Sequence, residues 1–224
     1  MDVPQPDSPA LRRDLTNLAT LNRLFGSYSL ILRHIQPWLH AAPLDRPIRL
    51  LDFATASGDI PRLLVDAARS RGINLQIDAI DQQASTIAIA RELSADYPEI
   101  TYHEGDILTF GTGETWDIVH CSLAIHHFSE PDAITVLRQV RELSSRHALA
   151  ADLRRSPLGT FGVDLLTAVW MREPMTRNDA RASVRRAFTF EEMAALARSA
   201  GWTDYHHERN YAFRQSLRLT HVGS

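Results

Sequence analysis

Regular patterning begins at Ser8, a capping residue followed by Pro9 in a first helical turn, where proline's missing donor costs least. Leu11, Leu15, Leu18, Leu21, Phe25, Tyr28, Leu32 and Ile35 then recur every three or four residues. This is an amphipathic stripe, and Gly26-Ser27 divides it into two helices. From Ile48 the period changes. Short apolar runs at 48–53, 75–80, 100–104, 117–123 and 147–153 alternate with helical patterns over 59–71, over 84–95 and in a segment whose first turn holds Pro131. That alternation predicts an open parallel sheet with helices on both faces.

Beyond residue 153 the rhythm breaks. Residues 154–188 form an arginine-rich insertion with a predicted helix over 161–171. Thr189-Phe190-Glu191-Glu192 is a capping box, and its helix should stop at Gly201. The runs 205–211 and 213–220 are so close that they should pair as a hairpin at the sheet edge. The expected fold class is α/β, a seven-stranded, mostly parallel sheet with a C-terminal edge hairpin. The expected division is a helical cap over 1–45 and one α/β domain over 46–224, with the insertion inside it.

Composition narrows the picture modestly. The 224 residues are 44% hydrophobic and 23% charged, ordinary for a soluble globular chain. A formal charge of −3 gives no general attraction to nucleic acid. All 24 basic residues are arginine, scattered along the chain, which reads as coding bias rather than a phosphate site. Cys121 is the single cysteine, so no internal disulfide can form and a reducing cytoplasm is expected. The N-terminus lacks the pattern of a signal peptide, and no stretch approaches the ~20 apolar residues of a membrane span.

The chemistry concentrates after the first strand. Leu51-Asp52-Phe53 runs into Ala54-Thr55-Ala56-Ser57-Gly58, a small-residue turn, and a helix opens at Asp59-Ile60-Pro61. Such a turn lets a ligand lie along the backbone, and Asp81, ending the next strand, can accept hydrogen bonds from a ribose. A nucleoside-containing cofactor follows. Only Gly58 stands where a dinucleotide fingerprint needs three glycines, and Asp59 at the helix N-terminus would repel a pyrophosphate. A sulfonium cofactor carries no phosphate, so Asp59 costs it nothing, and Asp52 suits its positive centre and amino group.

The run from Leu51 to Gly58 resembles the first motif of class I S-adenosylmethionine-dependent methyltransferases, written L-D-x-G-x-G-x-G. Ile77-Asp78-Ala79-Ile80-Asp81 is similar to the family's second strand, Gly105-Asp106-Ile107 to its adenine-binding motif, and Trp116 to Phe128 to its fourth strand and substrate-facing loop. The resemblance covers 46–153 well and 189–220 in outline, and it implies a Rossmann-like sheet. It also implies S-adenosyl-L-methionine as cofactor, held by Asp52, Ala54, Thr55, Ala56, Gly58, Asp81, Gln82, Asp106, Ile107 and Ser122. The chain departs from the motif at its first two glycines, here Ala54 and Ala56. A negative φ at Ala56 leaves room for the methyl; a positive φ points to a weak binder or an inactive relative.

Methyl transfer from a sulfonium is an in-line displacement, so a base is needed only when the acceptor arrives protonated. His126 and His127, in the loop after the fourth strand, are the candidate bases. One of them packing against the cofactor is the bland rival. Adjacent histidines pointing apart disfavour a shared metal site, and none is expected. Asp152 points toward the same crevice and could orient substrate. Tyr28, Arg33 and His34 could close over the cofactor, with Arg33 able to reach a carboxylate, although a solvated helix face is the stronger expectation for Arg33. His206-His207 read as surface residues. The apolar stretch 161–171 suits a flat acceptor, with a homodimer contact as its alternative.

The resemblance to quinone-pathway and secondary-metabolite methyltransferases implies methylation of oxygen or carbon on a small aromatic or quinone-like acceptor. The rival is a cofactor-binding, non-catalytic scaffold.

Overall fold

The computed structural model describes residues 5–42, 45–110, 113–157, 159 and 174–221. Two helices lead, α1 (Pro9–Leu24) and α2 (Ser27–His40). Ser8 caps α1 by accepting from the Leu11 amide at 3.2 Å, and Gly26, left-handed at φ 78°, turns the chain between the two. The predicted alternation follows: β1 (Ile48–Phe53), α3 (Asp59–Arg69), β2 (Leu75–Asp81), α4 (Ala84–Leu93), β3 (Ile100–Glu104) and β4 (Trp116–Ser122). A short 3₁₀ turn at Ile125–His127 precedes α5 (Glu130–Glu142) and β5 (Ser144–Leu153). Then come α6 (Pro174–Arg186), α7 (Phe190–Ser199), β6 (His206–Asn210) and β7 (Arg214–Thr220).

The strands form one sheet in the order β3-β2-β1-β4-β5-β7-β6. All neighbours are parallel except at β7, which runs antiparallel to both β5 and β6. The fold class predicted from the sequence therefore holds, including the reversed edge hairpin. The order turns back between β1 and β4, so a crevice opens at the carboxyl ends of these strands.

Each face of the sheet carries its own core. Phe53, Val119, Cys121 and Ala150 pack with α5 and α7 residues such as Val136, Leu137 and Leu196, and Trp202 closes that layer. Leu50, Ile77, Ile118 and Leu149 face the other way, onto Ile31 and Ile35 of α2 and Leu64 of α3. Cys121 lies in this interior, where burial pushes its thiol far up, as a small apolar residue rather than a nucleophile. The N-terminal half of α1 lies across α4 and the β1 turn, where Leu11 and Leu15 meet Ile89 and Ala56. Arg12 reinforces this contact through Glu92 at 2.8 Å.

Two expectations change, and one is not tested. Helix α6 occupies a stretch read only as basic. His207, read as a surface residue, is half-buried with its ring stacked on Phe190 at 3.6 Å, because β6 is covered on that side by α7. The helix predicted over 161–171 lies outside the described residues. Among the described residues, no helix is long and apolar enough to cross a membrane.

Candidate active site

The turn after β1 is built from its own backbone. The Thr55 amide donates to Ile80 O at 2.9 Å and the Gly58 amide to Thr55 O at 2.9 Å. Asp81, at the tip of β2, accepts from the Ala56 amide at 3.0 Å and the Gln83 amide at 3.0 Å. Burial raises the Asp81 carboxyl above its usual range, and the two amides oppose that shift. Each carboxylate oxygen has a second lone-pair site, so acceptor capacity remains.

Ala54 and Ala56 both take the left-handed conformation, φ 56° and 49°. The backbone has kept the shape that glycine makes easy, at about 1–2 kcal/mol for each alanine. This is the conformation that the sequence reading tied to weak binding. The Ala56 side chain, however, packs on Leu11, Leu15 and Ile89.

A cavity of about 680 Å³ opens beside this turn, over the carboxyl ends of β1, β4 and β5. Its volume suits a small-molecule site. Five of the expected cofactor residues line it: Asp52, Ala54, Thr55, Ala56 and Ser122. Gly58 caps α3 just behind them. Asp81, Gln82, Asp106 and Ile107 stand away from its wall, toward the β2–β3 edge. Gln82 is exposed, Asp106 uses one oxygen on the Leu108 amide at 2.9 Å, and Ile107 is buried in the core. Helix α1 roofs the cavity with Leu15, Leu18, Leu21 and Phe25. Its carboxyl end is tied down at Asp59, which accepts from Tyr28 Oη at 2.8 Å and Asn22 Nδ2 at 3.3 Å.

Two buried histidine–carboxylate pairs flank the crevice. His120 Nδ1 lies 2.7 Å from Asp52 Oδ1, on the α2–α3 side of the sheet. His126 Nδ1 lies 2.6 Å from Asp152 Oδ1, and the His126 amide donates to Asp152 Oδ2 at 2.8 Å. Asp152 is 1% exposed and also accepts from the Leu153 amide, so it is fixed as a carboxylate acceptor. His126 Nδ1 must then donate, which leaves Nε2 as the basic nitrogen. Nε2 is buried without a hydrogen-bond partner, in a side chain that lines the cavity. His127 also lines the cavity but is exposed, with its ring 4.2 Å from that of His126.

The residues expected to close over the cofactor divide. Tyr28 reaches Asp59. Arg33 is on the outer surface, the stronger of its two expectations, bonded to Asn210 and 3.5 Å from Glu208. His34 faces Ser216 at 3.4 Å. Sequence reasoning missed the far wall, made by Ala180, Ser183 and Val184 of α6 and by Tyr211 to Arg214 of the hairpin turn. The spacing of Ala180, Val184 and Ala187 is a readable helical signal; nothing in the sequence marks Arg214 among 24 arginines.

These features fit an S-adenosylmethionine site. The turn offers an open backbone, Asp81 stands beside it with acceptor capacity left, Thr55 presents a buried hydroxyl without a partner, and Asp52 and Asp59 bring carboxylates to the wall.

Residues 50–147 match a family model described as a methyltransferase domain. No curated protein sequence matches the chain. Among solved structures, the CurJ carbon methyltransferase superposes with a TM-score of 0.69 at 15% identity, over 97% of this chain and 60% of that one. The plantazolicin methyltransferase BpumL, in complex with SAH, gives 0.66 at 12% identity, over 96% and 92%. Magnesium protoporphyrin IX methyltransferase from Synechocystis, with bound SAH, gives 0.61 at 11%, over 97% and 90%. The chain spans only 50–62% of the length of some similar structures, the citrinin polyketide synthase CMeT domain at the lower end. Residues 50–147 are thus similar to a methyltransferase domain, and the chain as a whole has the class I methyltransferase fold.

Proposed function

We propose that this chain transfers a methyl group from S-adenosylmethionine to an oxygen or carbon of a small aromatic or quinone-like acceptor. Asp52, Ala54, Thr55, Ala56, Gly58, Asp81, Gln82, Asp106, Ile107 and Ser122 hold the cofactor, with Asp81 toward its ribose and Asp106 toward its adenine. Residues 1–45 act as a helical cap on the domain formed by 46–224. When bound, S-adenosylmethionine supplies an electrophilic methyl group on a positively charged sulfur.

The observation that carries this reading is His126. Its Nε2 is desolvated and without a partner, in a residue of the cavity wall, and is kept in the basic tautomer by Asp152. A phenol or an acidic C–H brought against Nε2 would lose its proton there as the new bond to carbon forms. Asp152 stabilises the imidazolium that results, so the pair is needed for chemistry and not for cofactor binding. The predominantly apolar walls exclude water, which strengthens that electrostatic support.

A second reading, favoured by the left-handed Ala56, is a scaffold that binds the cofactor without turnover.

Calorimetric titration with S-adenosylhomocysteine, followed by an acceptor screen with labelled methyl donor, separates the two. Binding together with methylation of a phenolic or enolic acceptor is expected. His126→Gln should then lower kcat by ~10²–10⁴-fold, the contribution of a positioned base, and leave S-adenosylhomocysteine affinity unchanged. Binding without transfer to any acceptor would favour the scaffold. Loss of affinity matching the loss of turnover would make His126 a binding residue.

A further inference from the structure

The hairpin end of the cavity holds a cation that the fold does not neutralise. Arg214 opens β7 and pairs in register with Leu153, the last residue of β5, so the ladder delivers it to the carboxyl end of the sheet. It is 6% exposed and lines the cavity wall. Its Nε donates to Ser27 Oγ at 2.9 Å, and its Nη1 to Phe25 O at 2.6 Å and Ala212 O at 3.4 Å. These acceptors are neutral, and none of these bonds uses Nη2. Asp152 is the nearby carboxylate, but its oxygens serve His126 and the Leu153 amide. Burial pulls the Arg214 guanidinium down to about 10, which still leaves it charged at neutral pH.

Arg154 stands beside it. Its amide donates to Phe213 O at 2.6 Å, its side chain lines the same cavity, and its Nε is buried without a partner. Among the described residues, neither arginine makes an ion pair. Around them the wall is apolar: Phe25, Leu153, Val184 and Phe213. A desolvated guanidinium in such surroundings is unfavourable until an anion reaches it, and its planar fork matches a carboxylate. The acidic residues of the cavity, Asp52 and Asp59, lie on the other side, at β1 and the start of α3. Charge is thus sorted along the cavity, negative at the turn and positive at the hairpin.

We propose that Arg214, assisted by Arg154, is the receptor for a carboxylate on the methyl acceptor, so that the substrates are apolar aromatic acids bound with the acid group at the hairpin. This rests on the reading of the cavity as a methyltransferase acceptor site. It adds an orientation: the anionic end is held away from the turn, and the opposite end of the ring system is presented to His126 and the methyl group. The other source of such a carboxylate is the methionine part of the cofactor itself, and the test separates the two.

The experiment is calorimetric titration of the wild-type chain saturated with S-adenosylhomocysteine. The probes are benzoate, 4-hydroxybenzoate and 6-hydroxy-2-naphthoate, each against its methyl ester, with methyl transfer measured in parallel. At least one acid is expected to bind tenfold or more tightly than its ester. Arg214→Gln should erase that preference without changing S-adenosylhomocysteine affinity, Arg214→Lys should keep part of it, and Arg154→Gln should weaken it less. Should Arg214→Gln fail to fold, the acid–ester comparison on the wild-type chain and Arg154→Gln decide. Equal binding of acids and esters, or no binding by any acid, overturns the proposal while leaving the methyltransferase reading intact. Loss of S-adenosylhomocysteine affinity in Arg214→Gln assigns the carboxylate to the cofactor and also overturns it. A wild-type chain that does not bind S-adenosylhomocysteine removes both readings together.

Discussion

Gly58 is the one glycine retained in the turn, and its neighbour on β3 gives the reason. A Cβ placed there would lie 2.0 Å from Tyr102 Oη and 2.8 Å from Cζ of the ring, and the backbone is left-handed at φ 71°. Tyr102 cannot retreat easily, since it is 7% exposed and its hydroxyl lies 2.8 Å from Ser94 Oγ. Ala54 and Ala56 have similar φ values, yet their methyls are accommodated by neighbouring apolar packing. What decides between glycine and alanine along this turn is therefore the space around each Cβ. Gly58→Ala should cost ~2–5 kcal/mol, combining about 1–2 for the left-handed alanine with about 1–3 for overpacking. Ala56→Gly should change stability by less than ~1 kcal/mol, since relief of φ strain is offset by lost packing and greater unfolded-state freedom. Urea unfolding of both variants checks this. A Gly58→Ala cost no larger than the Ala56→Gly change would remove Tyr102 from the explanation.

At the scale of elements, Asp59 joins three helices. It starts α3, where a carboxylate is favoured by the helix dipole, and it receives Tyr28 from α2 and Asn22 from α1. Tyr28→Phe should cost ~1.5–3 kcal/mol, the worth of a hydrogen bond to a charged group. Hydrogen exchange should show the loss at the carboxyl end of α1 and in the first turn of α2, with β1 and β4 unchanged. Uniform loosening of the sheet, or no change in α1, would show that the roof is held by apolar contacts alone. The sequence made these elements visible wherever a local pattern decided them. Strands 48–53 and 100–104 agree with the structure to the residue, because apolar runs there end in turn residues. β5 begins three residues before its apolar run, since Ser144 joins the ladder opposite Trp116 through backbone bonds that carry no hydrophobic signal. Helix α6 was hidden by its arginines. The same division holds at the site. The turn from Asp52 to Gly58 is local and legible, whereas the bond from His126 to Asp152 and the placing of Arg214 come from strand order and antiparallel register. Neither could be read from spacing.

Across the whole molecule, the histidines set how stability responds to acid. His34, His147 and His207 are held below the ordinary imidazole value, in each case chiefly by burial. His147, whose ring stacks on Trp38 at 4.6 Å with nearby Arg146 adding to the effect, is pulled from 6.5 to about 4. Above pH 7 these rings are neutral in both the folded and unfolded chain and contribute no slope. As pH falls through 6.5, the unfolded chain takes up protons that the folded chain refuses. The unfolded state then binds more protons, so stability must fall with falling pH, for His147 down to about 4. Full burial would make the His147 shift worth about 3 kcal/mol; its ring is partly solvated, and roughly 1–2 kcal/mol is expected. Asp117 adds a second descent at lower pH. Arg46 at 2.5 Å holds its carboxyl below the usual 3.8, so the stability it confers is present above that value and is lost as pH drops through the depressed one. Urea denaturation at intervals from pH 8 to about pH 2 should therefore give a plateau near and above pH 7, then a decline beginning near 6.5 and the Asp117 descent below 3.8. His147→Gln should flatten part of that decline while leaving the Asp117 descent in place. A flat profile down to pH 4.5 in the wild-type chain would mean that these imidazoles accept protons in the folded state, and that the Trp38 and Phe190 stacks do not exclude the charged form.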